Sequence, residues 1–358
     1  MSNETTTEAR RQIEICNACR YCEGYCSVFP AITSSRAFSD GDITHLANLC
    51  HNCRGCYYAC QYTAPHEFDL NLPKILAEVR HDSWVQHSYP QALGSVINTS
   101  GMGIAALFVF SLTAVFYAIM HFDLGHGDGF YAYMSHSVMV AIFMPAFLFP
   151  LVAMGISLTR YWRSIGSPVV TLRDFAAAIT SAGKLKNLSG GHGDGCNFEN
   201  EDAFTPWRKY FHHFTLYGFL LCFASTSSAT LMHYILDMSA PYGPFSLPKI
   251  LGVPGGIMLC IGTAGLAVLK TKADPNLGAA KVWAGEMAFI VLLFAVSVSG
   301  LALYWLGDSD LIEVLLPLHL AVVFTLFLMM PYSKMVHGFY RLAALTRDAA
   351  DVRLKSVK

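Results

Sequence analysis

The chain has 358 residues, 54% of them hydrophobic and 14% charged. A mean hydropathy of +0.41 is too apolar for an ordinary soluble protein, and the length leaves room for two or three domains. The formal net charge of −1 gives no electrostatic footing for a nucleic-acid partner.

Residues 1–12 are polar and are expected to fray. Cysteines follow. Cys16, Cys19, Cys22 and Cys26 read C-x2-C-x2-C-x3-C, and Cys50, Cys53, Cys56 and Cys60 repeat the pattern 34 positions later. Three thiolates two residues apart can wrap one face of a cuboidal iron–sulfur cluster, leaving the fourth to reach elsewhere. In two-cluster ferredoxins that fourth cysteine ligates the other cluster. By this rule Cys16, Cys19, Cys22 and Cys60 hold one [4Fe–4S] cluster, and Cys50, Cys53, Cys56 and Cys26 hold the second. Zinc sites use two separated C-x2-C pairs rather than a run of four. Disulfides need an oxidising compartment, and no signal peptide is read ahead of the runs. Ser27 and Gln61 stand where the ferredoxin run has proline, and Pro30 and Pro65 come a little later. Of the other cysteines, Cys196 lies in a glycine-rich loop, and Cys222 and Cys260 lie in apolar runs as small hydrophobes.

Between the runs, DGDITHLANL reads as a short helix capped by Asp40 or Asp42. Residues 72–85 read as an amphipathic helix starting at Pro73, with Ile75, Leu76 and Val79 on one side. It is expected to pack the cysteine module against the membrane surface. Residues 1–95 thus form a two-cluster, ferredoxin-like domain.

Residues 100–358 form an all-α bundle of six transmembrane helices. The apolar runs are 101–122, 131–159, 211–236, 250–269, 282–306 and 311–332, each of a length to cross a bilayer. With the cysteines inside, the inner loops 160–209 and 270–281 and the tail after Pro331 carry nearly all the lysines and arginines of this part. The outer loops 121–130, 237–249 and 307–310 carry only Lys249. The positive-inside rule therefore places both termini and the cysteines on the cytoplasmic side of a bacterial-type inner membrane.

The 160–209 loop contains LSGGHGDGCNFENEDAF at 188–204, without the lysine of a phosphate-binding loop. The plain reading is a flexible connector. His192, Asp194 and Cys196 among the glycines also suit a docking surface or a cap over a cofactor.

Imidazoles in membrane runs are costly, so each suggests function. Continued a little past its apolar run, the sixth helix carries His319 and His337, 18 residues apart. That is about 27 Å at 1.5 Å per residue, close to the ~30 Å hydrocarbon thickness. Eighteen residues also make about five turns, putting both on one side unless Pro331 kinks the helix. The third span carries His212 and His213 at its inner end and His233 at its outer end. His213, or His212, can meet His337, and His233 can meet His319. Two such sites across the bilayer suit two b-type haems. His121 and His136 compete for the outer site. Taken singly, each histidine is equally an interfacial side chain reaching for water.

CNACRYCEGYC, then LCHNCRGCYYACQYTAPHEFDLNLPK, followed by six spans, resembles the tricarballylate-utilisation protein B family, also called citrate-utilisation protein B. The likeness covers essentially the whole chain. Separately, LHLAVVFTLFLMMPYSKMVH at 318–337 is similar to the last span of respiratory nitrate reductase gamma subunits, which are dihaem cytochromes b. That likeness implies ligand roles for His319 and His337. The gamma subunit's other ligands lie on one earlier helix, at closer spacing than His213 and His233.

The first resemblance implies that electrons pass from the reduced flavin of a soluble tricarballylate dehydrogenase, through iron–sulfur clusters and haem, into the membrane quinone pool. The residues point the same way, because the chain has no GxGxxG after a strand and no recognisable Ser/His/Asp set. Substrate chemistry then belongs to a partner flavoprotein. One rival is a heterodisulfide-reductase-like or succinate-dehydrogenase-like subunit with another donor. A second is a transporter with a redox regulatory domain, for which Glu286, Glu313 and a helix broken at Gly255–Gly256 are the candidate features.

Overall fold

A computed structural model describes residues 3–122, 129–166, 168–190, 195–197, 203–238 and 240–356. Five helices carry the cysteine module: α1 (Asn3–Cys19), α2 (Val28–Thr33), α3 (Asp40–Leu49), α4 (Gly55–Tyr58) and α5 (Leu72–His87). Residues 3–12 are helical rather than frayed. Ala9 and Ile13, one turn apart, are fully buried, and Gln12 Oε1 accepts a 3.0 Å bond from the Asn71 N–H. The cap of α3 is Ser39, one residue earlier than expected. Its hydroxyl accepts from Asp42 N–H, and the Asp42 carboxylate accepts from Ser39 N–H, so Asp42 is the third residue of a capping box. Asn71 caps α5, with Pro73 in its first turn.

Ile75, Leu76 and Val79 face into the module, where they join Ile13, Ile32, Ile43 and Leu49 in one core. On the same helix, Ala77 packs against Ala279 and Val282 at the start of the fifth span. α5 is therefore the shared wall between module and membrane domain.

The membrane part comprises α6 (Gln91–His121), α7 (His136–Ser164), α8 (Leu172–Gly183), α9 (Trp207–Leu236), α10 (Leu247–Lys272), α11 (Trp283–Leu306), α12 (Ile312–Met329) and α13 (Val336–Ser356). Among the described residues six helical segments are long and apolar enough to cross a membrane, and there is no strand, only a single bridge between Cys196 and Thr205. α6 kinks at Ser100, where its apolar stretch begins. α10 runs unbroken through Pro254, Gly255 and Gly256. Its glycines serve close packing instead: a Cβ at Gly218 on α9 would lie 2.6 Å from Leu259 N and 2.8 Å from the Gly255 carbonyl oxygen. Small residues let two backbones approach this closely in a membrane.

α6, α7, α11 and α12 form the other part of the bundle, centred on Phe116, Met134, Leu316 and Leu320. Phe147 of α7 bridges the two parts, 6.4 Å from the Phe223 ring of α9 and 5.6 Å from Phe327 of α12.

The sixth span does not continue to His337. After Met329 the chain makes a tight turn through Pro331, is extended at Ser333 and restarts as α13. Proline removes a backbone donor and crowds the carbonyl four residues earlier. His319 and His337 therefore sit on different helices, and the shared-face register expected for them does not exist. α13 packs back on the module, placing Ala344 and Leu345 in its core and pairing Arg347 with Asp42.

Candidate redox site

The first cysteine run is shaped by the end of α1. Arg20 takes a left-handed conformation (φ 58°) and its N–H bonds the Cys16 carbonyl, so the chain doubles back and carries Cys22 towards Cys16. The second run uses two such residues, Asn52 (φ 50°) and Arg54 (φ 67°), between the end of α3 and α4. Successive backbone N–H groups curled this way form a concave, anion-attracting nest. Asn52 N–H points at Cys50 Sγ, and Tyr62 N–H at Cys60 Sγ, each at 3.4 Å.

The buried thiols bear on one another across the two runs. Cys16 is pushed up to about 12 by burial and by Cys60, Cys22 and Cys19. Cys22 is pushed up to about 11 by burial, Cys60 and Cys19. Cys26 is raised by its hydrogen bond with Cys53, by burial, and by Cys50 and Cys56. Cys53 is the exception, drawn down to about 6 by the same Cys26 bond, the Gly55 N–H and the Arg208 guanidinium. Cys60 thus bears on Cys16 and Cys22, and Cys26 on Cys53, while Cys56 is raised by burial and by Cys53, Cys50, Cys22 and Cys16, thiols of both runs. Several buried thiols crowd one another in each nest, and together they become thiolates only against a multivalent cationic core. An iron–sulfur core fits that donor set by the chemistry and spacing of its cysteines. As the side chains stand, no three or more His, Cys, Asp or Glu among the described residues are grouped to hold a metal ion.

The two nests differ in setting. Cys19 of the first is exposed. The second is enclosed by three arginines from distant parts of the chain. Arg80 and Arg341 both donate to the Cys50 carbonyl, at 2.7 and 2.8 Å, and Arg208 donates to the Asn52 carbonyl at 2.8 Å. The described part of the 188–204 loop closes over it. Asn197 N–H bonds the Cys53 carbonyl at 2.9 Å, buried Cys196 lies beside Cys53, and Phe204 packs against Gly55. Asn197 and Cys196, with Phe204, thus lie on the second nest. His192 and Asp194 lie outside the described residues.

The histidines regroup. His212 of α9 and His337 of α13 face each other with ring centroids 5.9 Å apart and planes at 69°. His337 Nδ1–H donates to the Lys334 carbonyl, which leaves Nε2 as the basic nitrogen. His212 Nδ1 is buried without a hydrogen-bond partner. His213, one residue and about 100° further round the helix, lies instead against Tyr217. At the other end of α9, His233 stacks on His136 at 4.1 Å, with Tyr131 beside both. His319 is turned towards α11, bonded to Ser299 Oγ at 2.8 Å and resting on Gly300. His121 folds back onto Tyr117. One grouping is thus His212–His337 and the other, at the opposite end of α9, His136–His233; His319 stands apart from both.

Sequence reasoning missed the three arginines, which are ordinary surface residues in any local window. It offered Glu286 and Glu313 as candidate features of a transporter's substrate site. Glu286 is held between Lys270 and Lys334, whereas Glu313 is exposed in the first turn of α12.

Comparison with known proteins agrees with this architecture. Residues 9–86 match the family model described as Citrate utilization protein B Fer4-like domain, and residues 91–358 match Citrate utilization protein B. Citrate utilization protein B of Escherichia coli is 42% identical over 357 residues, covering 98% of this chain and 93% of that protein. No solved structure matches. An iron–sulfur, Fer4-like module joined to six apolar helices, matched along its length by both models, places the chain in the Citrate utilization protein B family.

Proposed function

We propose that the protein is a membrane-bound relay that reoxidises the reduced flavin of a soluble dehydrogenase, of the tricarballylate dehydrogenase type, and delivers the electrons to quinone. The observation that carries this reading is a pair of four-cysteine runs folded together beside the membrane domain, with Cys19 of the first exposed and Arg80, Arg208 and Arg341 gathered round the second. When bound, two [4Fe–4S] clusters supply one-electron steps. The rest is done by the chain's own residues. Cys16, Cys19, Cys22 and Cys60 would hold the outer cluster within reach of a docked flavoprotein. Cys50, Cys53, Cys56 and Cys26 would hold the inner one, where Arg80, Arg208 and Arg341 stabilise added negative charge and so draw electrons inward. The positive-inside pattern supports a cytoplasmic module, on the side where a soluble flavoprotein is found.

His212 and His337 fit a single b-type haem. They would hold it between α9 and α13, where their ring centroids stand 5.9 Å apart and the His337 Nδ1–H bond to the Lys334 carbonyl leaves Nε2 as its basic nitrogen. His136 and His233, stacked at 4.1 Å, do not fit a metal between them as they stand. The relatives' name, Citrate utilization protein B, supports a donor enzyme that acts on a tricarboxylate.

Iron, acid-labile sulfide and pyridine-haemochrome analysis of the purified protein tests this proposal. The expected content is eight irons and eight sulfides in clusters, plus haem. A preparation with neither broad iron–sulfur absorption nor b-type bands rules the relay out.

A further inference from the structure

Between the cysteine module and the membrane domain lies a cavity at the junction of α5, α6, α11 and the turn after α12. Its polar lining includes His81 and Trp84 of α5, Glu286 of α11, and Tyr332 and Lys334 of the turn. Further along the helices the lining becomes apolar. From Glu286 to Leu292 on α11 is about 9 Å deeper, and from Asn98 to Ala105 on α6 about 10 Å, at 1.5 Å per residue. Lys334 is fixed from two sides, paired with Glu286 and held 5.3 Å over the Trp84 ring.

The same tryptophan reaches the end of α3, beside the second cysteine run. Trp84 Nε1–H donates to Asn48 Oδ1 at 2.9 Å, two residues from Cys50. Arg80 bridges the Cys50 carbonyl and the Trp84 ring, 6.0 Å above it. One face of the cavity is therefore a single side chain away from the second cysteine run, while its deep end points among lipid-crossing helices. There is free space within it, since a Cβ at Gly285, which lines the cavity, would meet no atom within 4 Å.

We propose that this cavity is the quinone site: it takes the ring of a lipid-soluble quinone beside Trp84 and Lys334, with the isoprenoid tail leaving between α6 and α11. The inference rests on the relay reading above. A cluster held by the second nest would supply one electron per reduction and be reduced again by the flavoprotein before the second transfer. With two electrons so delivered and two protons taken from water, both ring carbonyls would become hydroxyls, giving the quinol. Lys334 donates a hydrogen bond to one carbonyl oxygen and offsets the negative charge that develops there. Glu286, shared with Lys270, keeps that ammonium in place.

The test uses the full-length, cluster-loaded protein in lipid nanodiscs. It is photolabelled with azido derivatives of a short-chain ubiquinone and of a naphthoquinone, and the labelled peptides are mapped by mass spectrometry. Label is expected in 81–105, 282–292 or 329–336, displaced by unlabelled decylubiquinone or menadione. Gly285→Leu fills the cavity with a residue that favours helix and should cut labelling at least tenfold, with the iron–sulfur spectrum unchanged. Lys334→Met should lower kcat/KM for quinone about tenfold while cluster reduction by dithionite is preserved. Label confined to other peptides, or wild-type labelling and turnover in Gly285→Leu, overturns the site but leaves the relay standing. Reduced wild-type clusters that neither quinone reoxidises overturn the relay to quinone itself, and the site with it.

Discussion

Arg341 can show whether the two clusters are electrically distinct. Its guanidinium donates to the carbonyls of Cys50 (2.8 Å) and Asn48 (3.4 Å), so its charge stands against the second nest alone. The Cys50 thiolate is a few bonds beyond that carbonyl, which puts the charge on the order of 7 Å from the inner cluster. With an effective dielectric of about 20, one unit charge at that distance is worth about 2.4 kcal/mol. At about 2.3 kcal/mol per 100 mV for one electron, the guanidinium raises the inner potential by about 100 mV. Arg341→Gln keeps a donor for the Cys50 carbonyl and removes the charge. It should lower the midpoint of one cluster by about 100 mV and move the other by less than half as much. An EPR-monitored redox titration of purified protein reads both midpoints. No displacement, or equal displacement of both, would refute the assignment of the arginines to one cluster.

Cys26→Ala and Cys60→Ala distinguish swapped from unswapped ligation. Cys26→Ala should selectively disturb the EPR signal of the cluster that Arg341→Gln displaces, and Cys60→Ala the other; the opposite pattern would restore in-run ligation. His212→Ala and His337→Ala should each lose the inner haem while His213→Ala retains it, as read by pyridine haemochrome. Equal retention in all three removes haem from that pair. Gly218→Leu drives a side chain into the α10 backbone at Leu259 and Gly255. An overpacked contact of this kind costs about 1–3 kcal/mol, and it should lower the thermal midpoint in detergent and weaken haem retention, because α9 carries His212. A midpoint equal to wild type contradicts the close α9–α10 approach.

Much of this was legible in local sequence. Cluster ligation depends on short spacings, so the eight cysteines announce themselves. Membrane spans are a matter of length and hydropathy, which is why the six apolar helices match the six runs. Elsewhere a neighbour distant in sequence decided the outcome. Residues 3–12 look too polar to be ordered, but Ala9 and Ile13 are enough once α3 and α5 supply the other side of the core. Gly255–Gly256 looks like a break until α9 is seen to need the room.

The sequence alone determined what the chain carries: two four-cysteine runs, six apolar spans, basic inner loops and histidines at the ends of helices. These are one-dimensional properties, set by spacing, charge and hydropathy. Tertiary structure alone decided which of them meet. Proline at 331 ends the sixth span and sends α13 back to the module, so His337 finds His212 and Arg341 finds Cys50. The same return brings Lys334 to Glu286 and Trp84 beneath the second nest. Those partners are separated by tens to hundreds of residues, and no local pattern encodes a contact across such a distance. It follows only from how the helices pack.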